Sequence, residues 1–236
     1  MSEHTYVGGE LELFAQAHHW KAYWASRLRS YIRGSVLEVG AGMGANTLLL
    51  RNGAQGRWLC LEPDPQLVAA LHRKLAAPSN SQAPEVRTGT VASLETAEVF
   101  DTILYIDVLE HIEQDRAELE QAAKHLAQGG RLIALSPAHE WLFSRFDEAI
   151  GHYRRYTARD LEALTPSNLR VVKSFYLDSV GLLASAANRF LLHQSLPNAQ
   201  QIHWWDRMMV PCSRILDPLT GYRLGKSAIC VWELNR

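Results

Sequence analysis

The chain has 236 residues, 47% of them apolar, which is enough for one large α/β domain with a full core and leaves no room for a separate substrate domain. Its 24 Lys+Arg nearly balance 25 Asp+Glu, so composition excludes a bulk basic face and no nucleic-acid partner is expected. Three widely spaced cysteines, Cys60, Cys212 and Cys230, fit a reducing cytoplasm, and the longest apolar-rich stretch is broken by Asp178, Asn188 and Arg189, so no transmembrane span is expected.

In chain order, 1–9 reads as loose and 10–31 as helical. Trp20, Tyr23, Trp24, Leu28 and Tyr31 recur at close to helical spacing and demand burial. They form core, or they cover a ligand mouth with Phe14 and Trp20 excluding water. Arg33-Gly34 then stops the helix. The stretch 36–47, VLEVGAGMGANT, is a strand feeding a glycine turn and a helix start, an arrangement that lets a ligand approach the backbone and meet unpaired N–H groups. Glu38, at the end of this buried strand, needs a cationic or hydrogen-bonding partner, and an amino group would suit.

A second strand over 57–62 ends in Glu62, about 20 residues past the turn, where an acid can accept both hydroxyls of an adenosine ribose. Pro63-Asp64-Pro65 leads into a helix with Leu67, Val68, Leu71 and Leu75 on one side. A loop over 77–84 precedes a third strand over 86–89, which leaves Thr90 and Val91 at its end. The fourth strand, 101–106, runs into Asp107-Val108-Leu109-Glu110-His111-Ile112, three ionisable groups crowded at a strand end. Leu119, Ala122, Ala123 and Leu126 line the next helix, which Gly129-Gly130 should stop before a fifth strand over 131–136. Alternating strands and helices imply a parallel sheet with helices on both faces.

Between Ser136 and Asp160, aromatics are packed among charges with no clean period, as expected of a substrate lid. His152 titrates near neutrality and can take a proton; Tyr153 and Tyr156 can donate hydrogen bonds; Arg154 or Arg155 can grip a carboxylate or phosphate. The alternative is that the arginines pair with Asp147, Glu148 and Asp160 to pin a loop. Thr157 should cap a helix over 158–164, with Asp160 completing a capping box. Strands over 169–177 and 227–234 follow. The residues between them are too many for a hairpin. Val180, Leu183, Ala184, Ala187 and Leu191 predict one apolar helix face, and Trp204, Trp205, Met208, Met209 and Val210 another. Their excess suggests a substrate cap, a homodimer contact or membrane-surface attachment through 178–225.

EVGAGMG at the first strand, Glu62 at the second, DVLEHI at the fourth and Gly129-Gly130 before the fifth together resemble class I S-adenosylmethionine-dependent methyltransferases. The nearest likeness is to the type 11/12 and ubiquinone-biosynthesis O-methyltransferase-like group. The resemblance covers most of 10–178. It implies a Rossmann-like doubly wound seven-stranded sheet whose last strand is antiparallel, in a single domain. Its parts are an N-terminal helical cap (1–34), a cofactor core (35–177), a helical insert (178–225) and a closing strand (226–236). It implies S-adenosylmethionine as cofactor, with S-adenosylhomocysteine as product. Gly40, Ala41, Gly42, Gly44 and Asn46 would lie along it, Glu38 would face its amino end, Glu62 and Pro63 its ribose, and Asp107 and Val108 the reactive end. Many relatives place an acid after the third strand to meet adenine. Here Thr90 stands in that position with Val91, so backbone groups or the Thr90 hydroxyl would make the contact.

The expected reaction is methyl transfer to a small-molecule or lipid-like acceptor, one able to carry an anionic group. Oxygen ranks first as target atom, nitrogen second and carbon third. His152, Asp107 and His111 are the candidate acid–base residues, and Tyr153, Arg154, Arg155, Tyr156 and Trp20 the acceptor-binding ones. No metal is expected, although Asp107, Glu110 and His111 match the E-x-x-E-H segment of the ubiquinone-type enzymes, where the resemblance implies a divalent ion. Two other readings stay open. Gly40 to Ala45 also satisfies the G-x-G-x-x-A pattern of nicotinamide oxidoreductases, against which Glu38 would set a negative charge near a pyrophosphate. A non-catalytic S-adenosylmethionine-binding partner subunit is the other.

Overall fold

The computed structural model describes residues 16–51, 56–76, 83–189 and 199–235. The expectations for 1–15, including Phe14, for 77–82 and for Leu191 lie outside them. Seven strands form one sheet in the order β3-β2-β1-β4-β5-β7-β6. They are β1 (Val36–Val39), β2 (Trp58–Glu62), β3 (Glu85–Thr88), β4 (Phe100–Ile106), β5 (Leu126–Pro137), β6 (Leu169–Leu177) and β7 (Ser227–Leu234). β1 to β5 pair in parallel, and β7 runs antiparallel between β5 and β6.

Alternation along the strands divides the core in two. Val36, Leu104, Ile106, Ile133, Leu135, Ile229 and Val231 face one side. There they meet Trp20, Tyr23, Trp24 and Leu28 of α1 (His18–Leu28), Leu50 of α2 (Ala45–Leu50) and Leu71 and Leu75 of α3 (Pro65–Leu75). Leu37, Ile103, Tyr105, Leu132, Ala134 and Trp232 face the other, against Leu119, Ala122 and Ala123 of α4 (Asp115–Ala123). The aromatic face read on the first helix is therefore core, with Tyr31 packed at its margin. Asp64 caps α3 through Gln66 N and Leu67 N with Pro65 in the first turn, the arrangement that satisfies orphan helix N–H groups.

The structure corrects two boundaries. The first is that of α1: the sequence predicts a helix over 10–31, whereas 16 and 17 lie outside it and it passes into a 3-10 turn after Leu28. At the second, Leu126 does not extend α4; it opens β5 opposite Phe100. The register then jumps to Thr102 opposite Arg131, so the intervening residues loop out of the ladder. Gly129 takes φ 67, and a Cβ on Gly130 would stand 2.8 Å from the Ala127 carbonyl oxygen. The glycine pair thus shapes an irregularity inside a strand and is not a helix stop, because apolar residues three apart serve a helix face and a following strand equally well.

Before β6 come α5 (Arg145–Ala149) and α6 (Ala158–Ala163), the latter capped by the Thr157–Asp160 box as expected. After β6 come α7 (Ser179–Ala187), then α8 (Ala199–Trp204), a π turn (Trp205–Met209) and α9 (Val210–Leu219) in one run. Here the predicted faces hold only in part: Val210 is buried and Trp205 packs on the core, but Leu183, Trp204 and Met208 are exposed. α7 buries Ser179, Gly181 and Leu182, while Leu183 is 68% exposed. Asp178, at φ 69, caps α7 through Gly181 N, and a Cβ at residue 181 would stand 1.9 Å from the Asp178 carboxylate, which fixes that side inward. In the second run Ile202, Asp206, Val210, Ser213 and Asp217 turn in, and Trp204 and Met208 turn out. The π turn inserts a residue and rotates the faces on either side of it.

Two buried acids of the insert hold α1. Asp206 accepts from His19 N (3.1 Å) and Trp20 N (2.8 Å), capping a helix whose own N-cap residue, Ala17, has no side-chain acceptor. Asp217 accepts from Tyr23 Oη (2.8 Å), Asp178 N (2.7 Å) and Ser179 N (3.0 Å). Asp217→Ala would leave three buried donors unpaired, so urea denaturation should show a loss of about 3 kcal/mol or more. A loss below about 1 kcal/mol would mean that water replaces the carboxylate.

Candidate functional site

The strands end at one edge, and there a continuous cavity of ≈2010 Å³ opens. Val39-Gly40 of β1, Glu62-Pro63 of β2, Gly89-Thr90 after β3, Ile106-Asp107 of β4, Pro137 of β5 and Lys226-Ser227 of β7 all line it. Pockets for one small molecule run to roughly 1,000 Å³, so this volume admits a nucleoside cofactor and a second ligand. One arm lies over the glycine turn, and the other runs beneath α7 and the π turn.

The three glycines of the turn serve three purposes. Gly40 (φ 64) makes room for Val108, whose Cγ2 would lie 2.7 Å from an added Cβ. Gly44 (φ 73) makes room for Leu71, at 2.5 Å, and caps α2. Gly42 (φ 54) is different: a Cβ there would meet nothing within 4 Å, so its open side is the cavity. The Gly42 amide donates to Glu62 Oε2 (2.8 Å) and the Asp64 amide to Glu62 Oε1 (3.1 Å), which aims this acid across the turn. Burial raises the Glu62 pKa against those two amide bonds.

Several expected cofactor residues line the cavity: Gly40, Ala41, Gly42, Asn46, Glu62, Pro63, Thr90, Asp107 and Val108. Glu38, Gly44 and Val91 do not. Val91 is core at the start of a short 3-10 turn. Glu38 sits beneath the turn, where its Oε2 accepts from Thr47 Oγ1 (2.7 Å) and Trp58 Nε1 (3.0 Å). Burial pushes the Glu38 carboxyl up to about 7, against the pull of the Thr47, Trp58 and Cys60 hydrogen bonds.

On the acceptor side, Asp147 organises the cluster. His152 Nδ1 lies 3.0 Å from Asp147 Oδ1, and Arg155 donates through Nε (2.8 Å) and Nη2 (2.9 Å). A carboxylate only accepts, so His152 Nδ1 carries the proton and Nε2 keeps its lone pair. That Nε2 lies 4.0 Å from Glu110 Oε1, and the His111 and His152 rings stand edge to face at 4.5 Å. Among the described residues neither oxygen of Glu110 has a hydrogen-bond partner, and burial, then the Asp107 charge, raise its pKa. Burial, and after it the cost of placing a second positive ring beside His152, lower the His111 pKa to about 4. Burial also raises Asp107, offset by Lys21 of α1. Asp107 and His111 are both exposed along the cavity, where the surrounding protein still limits the water around their charged forms.

Two of the predicted acceptor residues are structural. Arg154 binds Asp115 Oδ2 (2.7 Å) and the Glu113 carbonyl, and Tyr156 donates to Asp115 Oδ2 (2.9 Å). Asp115 at the start of α4 holds both, and neither lines the cavity. Tyr153, Arg155 and Trp20 do line the cavity. The metal-type triad is also rearranged: donor atoms of Glu110, His111 and His152 lie within 4.8 Å of one another, and Asp107 is not in the group. Asp107 takes φ 54 at the end of β4, and the charge acting on it is Lys21.

The sequence reading missed Lys21 and Lys226, both cavity-lining, and named Trp205 only as part of an apolar face that could cap a substrate. A signal existed for Lys226. An antiparallel last strand starts at the edge where the parallel strands end, so the residue before it is delivered to the site.

Residues 37–132 match the family model described as Methyltransferase domain. No curated protein is matched by sequence. A chain of the Haloferax volcanii complex containing the Trm112 methyltransferase activator has a TM-score of 0.65 at 16% identity, over 98% of this chain and 95% of that one. The N-methyltransferase NodS from Bradyrhizobium japonicum WM9, in complex with S-adenosyl-L-homocysteine, has 0.57 at 17%, over 94% and 88%. The [4+2]-cyclase SpnF has 0.63 at 15%, over 93% and 81%. The fold is that of the class I S-adenosylmethionine-dependent methyltransferases, as the sequence motifs implied.

The raised Glu38 pKa gives a pH signature. A carboxyl whose folded pKa exceeds the unfolded value stabilises the protein below about pH 4.5 and loses that contribution as pH rises through about 7. Replacing it by the neutral isostere, Glu38→Gln, should flatten the fall in ligand-free stability between pH 5 and 8 by on the order of 3 kcal/mol, read by thermal melts. An unchanged pH profile would place the titration elsewhere.

Proposed function

We propose that this chain, with its methyltransferase domain and class I sheet, is an S-adenosylmethionine-dependent methyltransferase for a small-molecule or lipid-like acceptor, oxygen ranking first as target atom. The observation that carries the reading is the continuity of the cavity, which joins the Gly42–Glu62 cradle to the Asp147–His152 pair. When bound, S-adenosylmethionine supplies an electrophilic methyl group on a sulfonium. The open face at Gly42 fits a ligand packed against backbone, and both Glu62 oxygens retain lone pairs for ribose hydroxyls. Asn46, Pro63, Thr90 and Val108 complete that wall.

His152 Nε2 takes the acceptor proton, and Asp147 holds the ring in the required tautomer and balances the imidazolium that forms. Trp20, Trp24 and Trp205 exclude water. Acid–base help of this kind is worth about 10² to 10⁴ in rate.

The nicotinamide alternative is disfavoured by the sheet, since dinucleotide-binding folds carry six parallel strands and here β7 is reversed between β5 and β6. The Haloferax complex and SpnF keep a partner-dependent or non-methylating role in view, and the Asp147–His152 pair favours an active transferase. Cys60, Cys212 and Cys230 are all free, which supports a reducing, cytoplasmic setting.

Calorimetry should show S-adenosylhomocysteine binding and no NADH binding, with Glu62→Ala weakening the former by about 1 to 3 kcal/mol. NADH binding without S-adenosylhomocysteine binding would overturn the reading. Labelled methyl donor with a metabolite extract would identify the acceptor. With that acceptor, His152→Ala should lose about 10² to 10⁴ in kcat while S-adenosylhomocysteine affinity holds. A parental rate would remove the base from His152.

For the outer face of the insert we propose attachment to an anionic lipid surface. Trp204 (56%), Met208 (54%), Ile215 (69%) and Leu219 (78%) are exposed at helical spacing. The exposed Arg and Lys residues beside them are Arg207, Arg214 and Arg223, whereas the acids Asp206 and Asp217 are buried. Among the described residues no helix is long and apolar enough to cross a membrane, so the contact would be interfacial. The protein should sediment with phosphatidylcholine vesicles only when phosphatidylglycerol is present, and Met208→Glu with Ile215→Glu should abolish this. A solution dimer broken by the same pair, with no vesicle binding, would assign the face to a second copy instead.

A further inference from the structure

Two cations on the acceptor wall have unmatched N–H donors among the described residues: Arg155, at a buried nitrogen, and half-buried Lys226, at the cavity surface. Arg155 has a side chain 10% exposed and spends Nε and Nη2 on Asp147, but its Nη1 is buried with no hydrogen-bond partner. Lys226 packs its ammonium 4.9 Å from the Trp205 ring centroid and has no hydrogen bond or ion pair among the described residues. An aromatic face attracts the charge but does not accept three N–H bonds. Burial lowers the Lys226 pKa, Asp178 opposes that, and Arg155 adds to it. Both residues line the same cavity.

Two of the three nearby acids are already committed, and the third, Glu110, feels the Arg155 charge without a hydrogen bond to it. Asp147 also accepts from Ser144 N (2.8 Å) and Oγ (2.7 Å) and from His152 Nδ1. Asp178 accepts from Gly181 N (3.0 Å), Ser213 Oγ (2.7 Å) and Trp205 Nε1 (2.7 Å). Glu110 makes no bond to either cation and is held toward its neutral form. Beyond the cations, the arm beneath the insert sets apolar Ala184, Ile202, Trp205 and Met209 among polar Ser185 and Gln200, so its wall offers apolar contact along part of its length.

We propose that Arg155 Nη1 and Lys226 Nζ form an oxyanion subsite that selects acceptors carrying a carboxylate or phosphate on an apolar body. The assignment rests on the methyltransferase reading and deepens it. Lys226 is a specificity residue here and takes no part in the proton transfer at His152. Trp205 holds the ammonium in place and walls the arm beneath the insert.

The test uses the full chain saturated with S-adenosylhomocysteine and titrated with decanoate, decyl phosphate and decanol. Calorimetry should show at least tenfold tighter binding of an anion than of decanol. Because the Lys226 pKa is lowered, anion binding at a pH above it should be accompanied by proton uptake, seen across a series of pH values as a dependence of the heat on buffer ionisation enthalpy. Lys226→Met should weaken the anion at least tenfold, leave decanol unchanged and remove the proton uptake, while Lys226→Arg restores anion binding. Should Lys226→Met not fold, the wild-type comparison of anion with decanol and the proton uptake decide alone. Equal binding of decanoate, decyl phosphate and decanol overturns the subsite, as does anion binding indifferent to Lys226→Met. Failure to bind S-adenosylhomocysteine at the outset overturns the methyltransferase reading instead, so the two failures are distinct.

Discussion

His152, Arg155 and the start of α5 all take their positions from the Asp147 carboxylate. A buried carboxylate costs several kcal/mol unless donors surround it, and this one collects them from Ser144, His152 and Arg155. Burial alone would raise its pKa, but the His152, Arg155 and Ser144 bonds outweigh that and hold it below the ordinary aspartate range. Satisfying the anion fixes its donors in turn. The imidazole is locked in one tautomer, the guanidinium is turned so that one nitrogen remains unmatched, and the start of α5 is closed by a Ser144–Asp147 capping box. Solvating one charge has therefore arranged a base and a cation around an opening.

The roof over the cavity uses the same logic with other donors. Asp178, Asp206 and Asp217 are buried without a Lys or Arg in salt-bridge range, and each is met by backbone amides with a hydroxyl, an indole or a histidine in support. Oriented amides are rigid, and three such hubs tie the insert to α1 and to the end of β6. Gly225 belongs to this arrangement, because a Cβ there would stand 2.2 Å from the Leu177 carbonyl oxygen, where β6 leaves the sheet and β7 returns.

Where one physical rule dominates locally, the sequence was legible. β6 and β7 fall on their predicted bounds because strand alternation and flanking turn residues agree, and the Thr157–Asp160 box appears as read. The glycine turn and Glu62 were legible for the same reason. Leu126 was not, since its spacing serves a helix face and a strand start alike. The insert was legible only in part, on longer-range grounds: Asp178 and Asp217 select which faces turn inward, and their donors lie up to 194 residues away in sequence. Within the site, His152 and Arg155 could be named from side-chain chemistry, but Arg154 and Tyr156 looked equally suitable until Asp115 claimed both. Lys21 went unread because a lysine beside an aromatic stripe resembles an ordinary solvated residue. Its place at the cavity depends on how α1 is capped.

That cap bears on the order in which the chain can assemble during synthesis. The Asp206 contacts to His19 and Trp20 span 187 and 186 residues, and the Asp217 contact to Tyr23 spans 194. The ribosome releases the parallel strands well before residue 217, and throughout that interval the first amides of α1 have no carboxylate to receive them. Contacts of such separation carry the largest loop-closure cost and form late. The helix that brings Trp20 and Lys21 to the ligand is thus among the first segments made and among the last secured, so the cavity gains its wall only when the two ends of the chain meet.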